Sequence, residues 1–197
     1  MARPVESVLA FWFGPPGSPP LGRAGHWFAP DPAFDEEVRA RFAELAERAA
    51  AGELEAWRES PPGALALVIA LDQFPRNLYR GSARAFAADA AARDVCLDAQ
   101  ARGFDRALSR VERWFLYLPL MHAEDRALQE RSVALFEALA AGAGPELAEA
   151  LEQATDFARR HRDVIARFGR FPHRNAALGR ASTREEIAFL AEPGSRF

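Results

Sequence analysis

The sequence contains almost no cysteine and no lysine at all. Cys96 is the only cysteine, which excludes an intramolecular disulfide and a metal site built from several cysteines. A reducing, cytoplasmic setting is therefore the expectation. All 25 basic residues are Arg, against 28 acidic residues, and the net charge is −3. This mild acidity argues against a nucleic-acid-binding protein, which usually carries an excess of clustered basic residues.

Long hydrophobic runs are also missing. The longest apolar runs are Ala64–Leu71 and Trp114–Met121, both far shorter than the ~20 residues that a helix needs to cross a bilayer. The early apolar patch Val8–Phe13 is too short for a signal peptide. We therefore expect a soluble protein with no membrane partner. A length of 197 residues favours a single domain over residues 1–197.

Strand signals are weak, because β-branched residues are sparse and no segment alternates cleanly between apolar and polar residues. Alanine, leucine, glutamate and arginine dominate, and all four favour helices. The sequence predicts an all-α fold of consecutive antiparallel helix pairs with short connections. No repeat is visible, so the pattern alone leaves a bundle and a helical-pair solenoid both open.

Helix boundaries follow from caps, prolines and glycines. Asp31 with Pro32 marks one start, and Thr183 with Glu186 forms a capping-box pattern at another. Pro75 is expected to stop one helix, and Pro119 to break another and open the next. The predicted helices cover Val5–Phe13, Pro32 to Gly52, Ala64–Phe74, about Ala83–Arg102, Ser109–Leu118, Pro119 to about Ala141, Pro145–Phe171 and Thr183 to about Ala191. Three aromatic clusters are assigned to the core: Phe11–Phe13, Trp27-Phe28, and Trp114-Phe115 with Tyr117.

A short motif occurs twice, each time after a predicted helix end. Phe74-Pro75-Arg76-Asn77, the first turn motif, recurs as Phe171-Pro172-His173-Arg174-Asn175, the second turn motif, with one inserted residue. If the two turns meet, four arginines would surround one cavity and bind phosphate or carboxylate. The candidate ligand-binding residues are Asp72, Gln73, Arg76, Asn77, Arg80, Gln129, Arg170, Arg174 and Asn175. For Asp72 alone, a structural ion pair that locks the turn is the preferred interpretation, and the floor of an anion pocket is the alternative.

A polar triplet follows Pro119. On one helix, His122, Asp125 and Gln129 would share a face, which suggests a general base with an orienting carboxylate. His161 continues an apolar series and should point inward, either as a second base or as a hydrogen-bonded core histidine. The catalytic candidates are therefore His122, Asp125 and His161. No metal site is predicted, because one helix supplies too few ligands and the H-E-x-x-H pattern is absent. The sequence identifies no cofactor.

Several long motifs in order resemble a bacterial family of uncharacterised proteins, catalogued as domain of unknown function 924. They are VLAFWFG, LALVIALDQFPRNLYRGSARAFAAD, FLYLPLMHAED with QERSVALF, and HRDVIARFGRFPHRN, and the resemblance spans about Val5 to Leu190. It implies a fold similar to the tetratricopeptide-repeat-like α-α superhelix. It implies no established activity, so no catalytic residue is transferred from the family.

The leading hypothesis is a cytoplasmic helical protein with a polar pocket, lined by Arg, His and Asp, for an anionic small molecule. If it is an enzyme, His122 or His161 would serve as general base, with arginines stabilising negative charge. One alternative is a non-enzymatic scaffold that binds a peptide or protein partner along a concave surface. Another is a purely structural network of buried ion pairs. The oligomeric state is not predicted.

Overall fold

The computed structural model describes residues 4–195, and this part of the chain contains helices and turns without a β-strand. The all-α prediction is confirmed. The helices are α1 (Pro4–Phe13), α2 (Pro32–Ala50), α3 (Pro61–Val68), α4 (Phe74–Leu78), α5 (Asp89–Ala101), α6 (Arg110–Met121), α7 (Arg126–Ala140), α8 (Pro145–Phe168) and α9 (Arg184–Leu190). A π-helical turn at Ile69–Gln73 joins α3 to α4. The superhelix and the single domain stay predictions.

Two helix starts form as their caps predict. The Asp31 carboxylate accepts hydrogen bonds from the backbone N–H groups of Ala33 and Phe34, both at 3.1 Å, and Pro32 opens α2. At α9, the Thr183 hydroxyl and the Glu186 carboxylate exchange hydrogen bonds with each other's backbone N–H, which completes the capping box. Local side-chain chemistry therefore determines where these helices begin.

The expectation that Pro75 stops the helix is wrong. The chain stays helical through Leu78, because the backbone widens into a π turn just before the proline. In that turn the N–H of Phe74 donates to the carbonyl of Ile69, five residues earlier. Pro75 then occupies the first turn of α4, where a helix tolerates a residue without an N–H.

Pro119 likewise lies inside a helix instead of breaking it. Helix α6 continues to Met121, and α7 begins only at Arg126 with Asp125 as its N-cap. The Gln129 side-chain amide donates to the carbonyls of Met121 and Ala123, at 2.7 and 2.8 Å. It thus satisfies backbone groups that the end of α6 would otherwise leave unpaired. The predicted helix over 119–141 is shorter at its start for this reason.

Two further boundaries differ from the prediction. The expected helix over 83–102 is divided: Ser82 caps a 3₁₀ turn at Ala83–Phe86, and α5 starts at Asp89. Helix α8 ends at Phe168, three residues early, because Gly169 adopts a left-handed backbone with φ +69°.

The hydrophobic core surrounds α3, which is buried on all sides as its continuous apolar sequence predicts. Trp12, Phe74 and Phe115 are fully buried, and their rings pack edge to face at 5.6 to 5.8 Å. Phe28 departs from the predicted core, because 58% of it is exposed where it stacks on Trp114.

Helices α6, α7 and α8 pack in sequence, and their four-residue connections force neighbouring helices to run antiparallel. Helix α3 contacts α1, α5 and α6. The π turn after α3 contacts both α5 and α6, so its polar residues face those helices. Within residues 4–195, no helix is long and apolar enough to cross a membrane.

Candidate functional site

Asp72 is fully buried in the π turn and is surrounded by donors. Its Oδ2 accepts from Gln73 Nε2 at 2.6 Å, and its Oδ1 lies 3.1 Å from Arg76 Nη1. Burial raises the pKa of this carboxyl, but the Arg76 guanidinium and His122 outweigh that effect and hold the pKa below its ordinary value. Asp72 is therefore a buried carboxylate that stays ionised.

His122 lies at the end of α6 and bonds to this carboxylate. Its Nδ1 is 2.8 Å from Asp72 Oδ1, so Nδ1 carries the proton and the lone pair of the neutral ring is on Nε2. Burial and the Arg76 guanidinium lower the pKa of His122, which makes it neutral at pH 7. Nε2 forms no hydrogen bond with the described residues, and the side chain keeps 13% exposure.

The two turn motifs meet at Asp89, the first residue of α5. Arg76 Nη2 lies 3.1 Å from Asp89 Oδ1, and Arg174 Nη1 donates to Asp89 Oδ2 at 3.0 Å. Arg76 also donates to the backbone carbonyl of Asp72 at 2.5 Å. One carboxylate thus joins arginines that are 98 residues apart in the sequence.

Arg174 is the less satisfied of these two arginines. Its side chain is 7% exposed, and its guanidinium lies between the rings of Phe86 and Phe171, 4.7 and 4.6 Å from their centroids. Burial lowers the pKa of Arg174 to about 10, so the group remains charged at pH 7. Its side chain donates one hydrogen bond within the described chain, from Nη1, which leaves the donors at Nε and Nη2 unused.

His122 and Arg174 line the same open cavity of about 280 Å³. This volume lies near the lower end of the range for small-molecule sites. The polar lining residues are Asp89, Arg93, His122, Glu124 and Arg174. The apolar lining residues are Phe86, Ala87, Ala90, Pro119, Ala123 and Leu178. The cavity thus combines a neutral imidazole, a buried guanidinium and an aliphatic wall.

Arg80 points away from the cavity. It donates to the carboxylate of Asp35 from Nε and Nη2 at 3.0 and 2.8 Å, and Asn77 donates to the same carboxylate at 2.7 Å. The structure therefore does not bring Arg80 or Asn77 to the cavity.

Just before the second turn motif, Arg170 donates to the carboxylate of Glu186 from Nε and Nη2 at 2.6 and 2.8 Å. Asn175 donates to Glu186 at 3.3 Å and to Ser182 at 3.0 Å. Arg170 and Asn175 thus hold α9 against the turn instead of lining the cavity.

His122, Asp125 and Gln129 do not share one helix face, because α6 ends before α7 begins. Asp125 is exposed, and its carboxylate accepts from the Leu128 N–H at 2.9 Å as the N-cap of α7. Gln129 is fully buried and caps the end of α6. Asp72, not Asp125, is the carboxylate that orients His122.

His161 points inward, as its position in the apolar series predicts. Its Nδ1 lies 2.8 Å from the Phe157 carbonyl, and its ring centroid is 6.3 Å from that of His122. Burial and the neighbouring His122 lower its pKa well below the ordinary value. His161 therefore packs behind His122 as a neutral ring.

Sequence reasoning missed Asp89, Phe86 and Glu124. The predicted helix over 83–102 contains Asp89 in its interior. The 3₁₀ turn at Ala83–Phe86 instead makes Asp89 the first residue of α5, a position where acidic residues are favoured. Glu124 lies on the cavity rim, where it accepts two hydrogen bonds from Arg180 at 2.7 and 2.9 Å. It also accepts the Phe171 N–H at 2.7 Å, which attaches the second turn motif to the end of α6.

Burial raises the pKa of Cys96 to about 12, so this thiol is not an activated nucleophile. The described side chains contain no group of three or more His, Cys, Asp or Glu placed to hold a metal ion.

The chain is similar to known proteins in sequence and in fold. A search of curated proteins finds no significant match. A solved structure of a protein of unknown function from Agrobacterium tumefaciens is 39% identical in sequence, with a TM-score of 0.82 over 95% of this chain and 96% of that one. The family model of the bacterial proteins of unknown function DUF924 matches residues 8–194. The chain therefore belongs to the DUF924 family.

Proposed function

We propose that the cavity binds a small anionic molecule and that His122 acts on it as a general base. The observation that carries this proposal is that His122, oriented by Asp72, and the under-used guanidinium of Arg174 line one cavity. A base that is neutral at pH 7 and a cation beside it are the groups that proton abstraction from a bound anion requires.

The base role depends on the tautomer of His122. Because Nδ1–H donates to Asp72, Nε2 is free to accept a proton from a bound ligand or from a water molecule. The imidazolium that forms would lie against the Asp72 carboxylate, which stabilises its charge. Gln73 and Arg76 hold that carboxylate in place through its two oxygens.

The anion role depends on Arg174. A buried guanidinium that uses one of its three nitrogens for hydrogen bonding retains donors for a ligand. The stacking of its faces on Phe86 and Phe171 fixes the plane of the group, so little side-chain entropy is lost on binding.

The free, buried thiol of Cys96 supports a reducing, cytoplasmic setting, which we also propose.

Thermal denaturation in the presence of a panel of small carboxylates and phosphates tests the binding part. A ligand at 100 times its dissociation constant stabilises the wild-type protein by about 2.7 kcal/mol. We expect this stabilisation in the wild type and in Arg102→Lys, and about half of it in Arg174→Lys, because a tenfold weaker site is then at about 10 times its dissociation constant. Arg102 is a matched control, because it also pairs with a carboxylate, that of Glu59. It follows the last residue of α5, whereas Asp89 at the cavity is the first residue of that helix.

Proton NMR of the same panel in deuterated water tests the base. Wild-type protein should catalyse hydrolysis or hydrogen–deuterium exchange of one panel member, and His122→Asn should lose that activity while it still binds. Binding without turnover would leave an anion-binding protein. No response to any panel member would overturn the proposal and favour the scaffold or the structural network predicted as alternatives.

A further inference from the structure

The charges and the shape of the cavity define its ligand more closely than negative charge alone. We propose that the anion is a small aliphatic monocarboxylate and not a phosphate, an inference that rests on the proposed function. Three features support it: the unbonded Nε and Nη2 of Arg174, the charge balance around this residue, and the apolar lining of the cavity.

The first feature is a donor pair that already binds carboxylates elsewhere in this protein. In Arg80 and Arg170, Nε and Nη2 together grip the carboxylates of Asp35 and Glu186. In Arg174 the same two nitrogens form no hydrogen bond within the described residues. Nε of Arg174 is buried, and this side of a guanidinium matches the spacing of two carboxylate oxygens. A bound carboxylate would give Arg174 the partner that Arg80 and Arg170 already have.

The second feature is electrical balance beneath the cavity. The positive charges of Arg76 and Arg174 are matched by the negative charges of Asp72 and Asp89, with His122 neutral. A monoanion adds one uncompensated charge to this largely buried cluster, whereas a dianionic phosphate adds two. Since an uncompensated charge costs more free energy where water is excluded, the balance favours the monoanion.

The cavity rim does not alter this balance. Arg93 bonds to Asp94, and Glu124 bonds to Arg180, so each rim charge has an opposite neighbour. The Glu124 carboxylate also lies beside any anion that approaches Arg174, which further disfavours a second negative charge.

The third feature is the wall that the remainder of the ligand would contact. Ala87, Ala90, Pro119, Ala123 and Leu178 supply an apolar lining beside the polar groups. Their short side chains offer neither donors nor acceptors for hydroxyl groups or a sugar. A cavity of about 280 Å³ therefore fits a carboxylate with a short aliphatic chain.

Isothermal titration calorimetry with sodium propionate and with inorganic phosphate tests the proposal. The measurements use the full chain at pH 8, where phosphate is mainly dianionic. We expect propionate to bind the wild type at least tenfold more tightly than phosphate. Arg174→Lys keeps the charge but loses the paired donors, so it should weaken propionate binding about tenfold. Arg102→Lys should bind as the wild type does.

The outcomes separate this inference from the proposed function. Phosphate binding as tight as propionate binding, with both weakened in Arg174→Lys, would overturn the carboxylate specificity and leave the anion site intact. If neither anion binds the wild type, or if Arg174→Lys binds propionate unchanged, both the inference and the anion site are wrong. The propionate-to-phosphate ratio of the wild type decides the specificity even if a variant folds poorly.

Discussion

The two turn motifs make parallel contacts, each with the help of one arginine next to it. Asn77 of the first motif shares the carboxylate of Asp35 with Arg80, which follows the motif. Asn175 of the second motif shares the carboxylate of Glu186 with Arg170, which precedes the motif. The arginine within each motif turns inward to Asp89.

The two inward arginines differ in how fully they are used. Arg76 bonds to Asp72 and to Asp89, so its charge is shared between two carboxylates. Among residues 4–195, the Arg174 side chain donates hydrogen bonds only to Asp89, and it lies in the cavity wall. Arg76 of the first motif is therefore a structural anchor, whereas Arg174 of the second motif retains hydrogen-bond donors for a ligand.

The largest effect is expected from the anchor. Asp72→Asn removes a buried charge, takes the carboxylate from His122 and leaves Arg76 with Asp89 alone of its two carboxylates in the described residues, so we expect a loss of about 3–5 kcal/mol in the free energy of unfolding. Chemical denaturation measures it. Asp94→Asn is the control, since Asp94 is 59% exposed and should change stability by less than about 0.5 kcal/mol. A loss below about 1 kcal/mol for Asp72→Asn would contradict the anchor role.

The carboxylates of Asp35 and Glu186 should contribute to the free energy of unfolding in the order of their burial. Glu186 is 2% exposed and Asp35 is 18% exposed, and Glu186 also caps α9. We expect Glu186→Gln to cost about 2 kcal/mol and Asp35→Asn about 1 kcal/mol in thermal unfolding. Equal losses would show that the extra burial and the cap of the second motif contribute nothing.

The residue inserted in the second motif, His173, should make that motif sensitive to acid. Burial and Arg174 lower the pKa of His173 to about 4, below the 6.5 of an exposed histidine. The neutral His173 ring therefore makes its full contribution to the free energy of unfolding above pH 6.5, and this contribution is lost as the pH falls from 6.5 towards 4. His173→Asn should reduce the loss between pH 7.5 and 4.5 by about 1–2 kcal/mol, as denaturation at both pH values would show. His122 and His161 remain and sustain the rest of the loss, so an unchanged loss in the variant would contradict this role.

The smallest effect is expected at the cavity. Because Arg174 makes one side-chain hydrogen bond, Arg174→Lys should reduce the free energy of unfolding by less than about 1 kcal/mol. Arg76→Lys should cost about 2 kcal/mol, since it breaks contacts to two carboxylates. Urea denaturation of both variants compares them directly, and a larger loss at Arg174 would reverse the contrast between the motifs.

Local chemistry explains what the sequence predicts well. The starts of α2 and α9 depend on side chains within three residues of the helix end, so Asp31 and Thr183 identify them without knowledge of the fold. The buried character of α3 follows from its uninterrupted apolar residues. His161 faces inward because it continues the apolar period of α8.

The candidate site depends on contacts between distant segments, which local patterns do not contain. Asp125 has the pattern of a helix residue beside His122, but Gln129 ends α6 and leaves Asp125 as an exposed cap. Asp72 reaches His122 across 50 residues, and Arg174 reaches Asp89 across 85. These partners become evident only once the helices are packed.

The π turn at Ile69–Gln73 limits how the chain can change in length. A π turn contains one residue more than the α-helix of equal height, and each residue rotates a helix by about 100°. Deletion of one residue here would return the segment to α-helical winding and rotate everything after it relative to α3. Asp72 and Arg76 could then no longer meet His122 and Asp89 together. A loop between helices can gain or lose residues while the fold persists. This buried turn has a fixed number of residues, and that number keeps the first turn motif in register with the second.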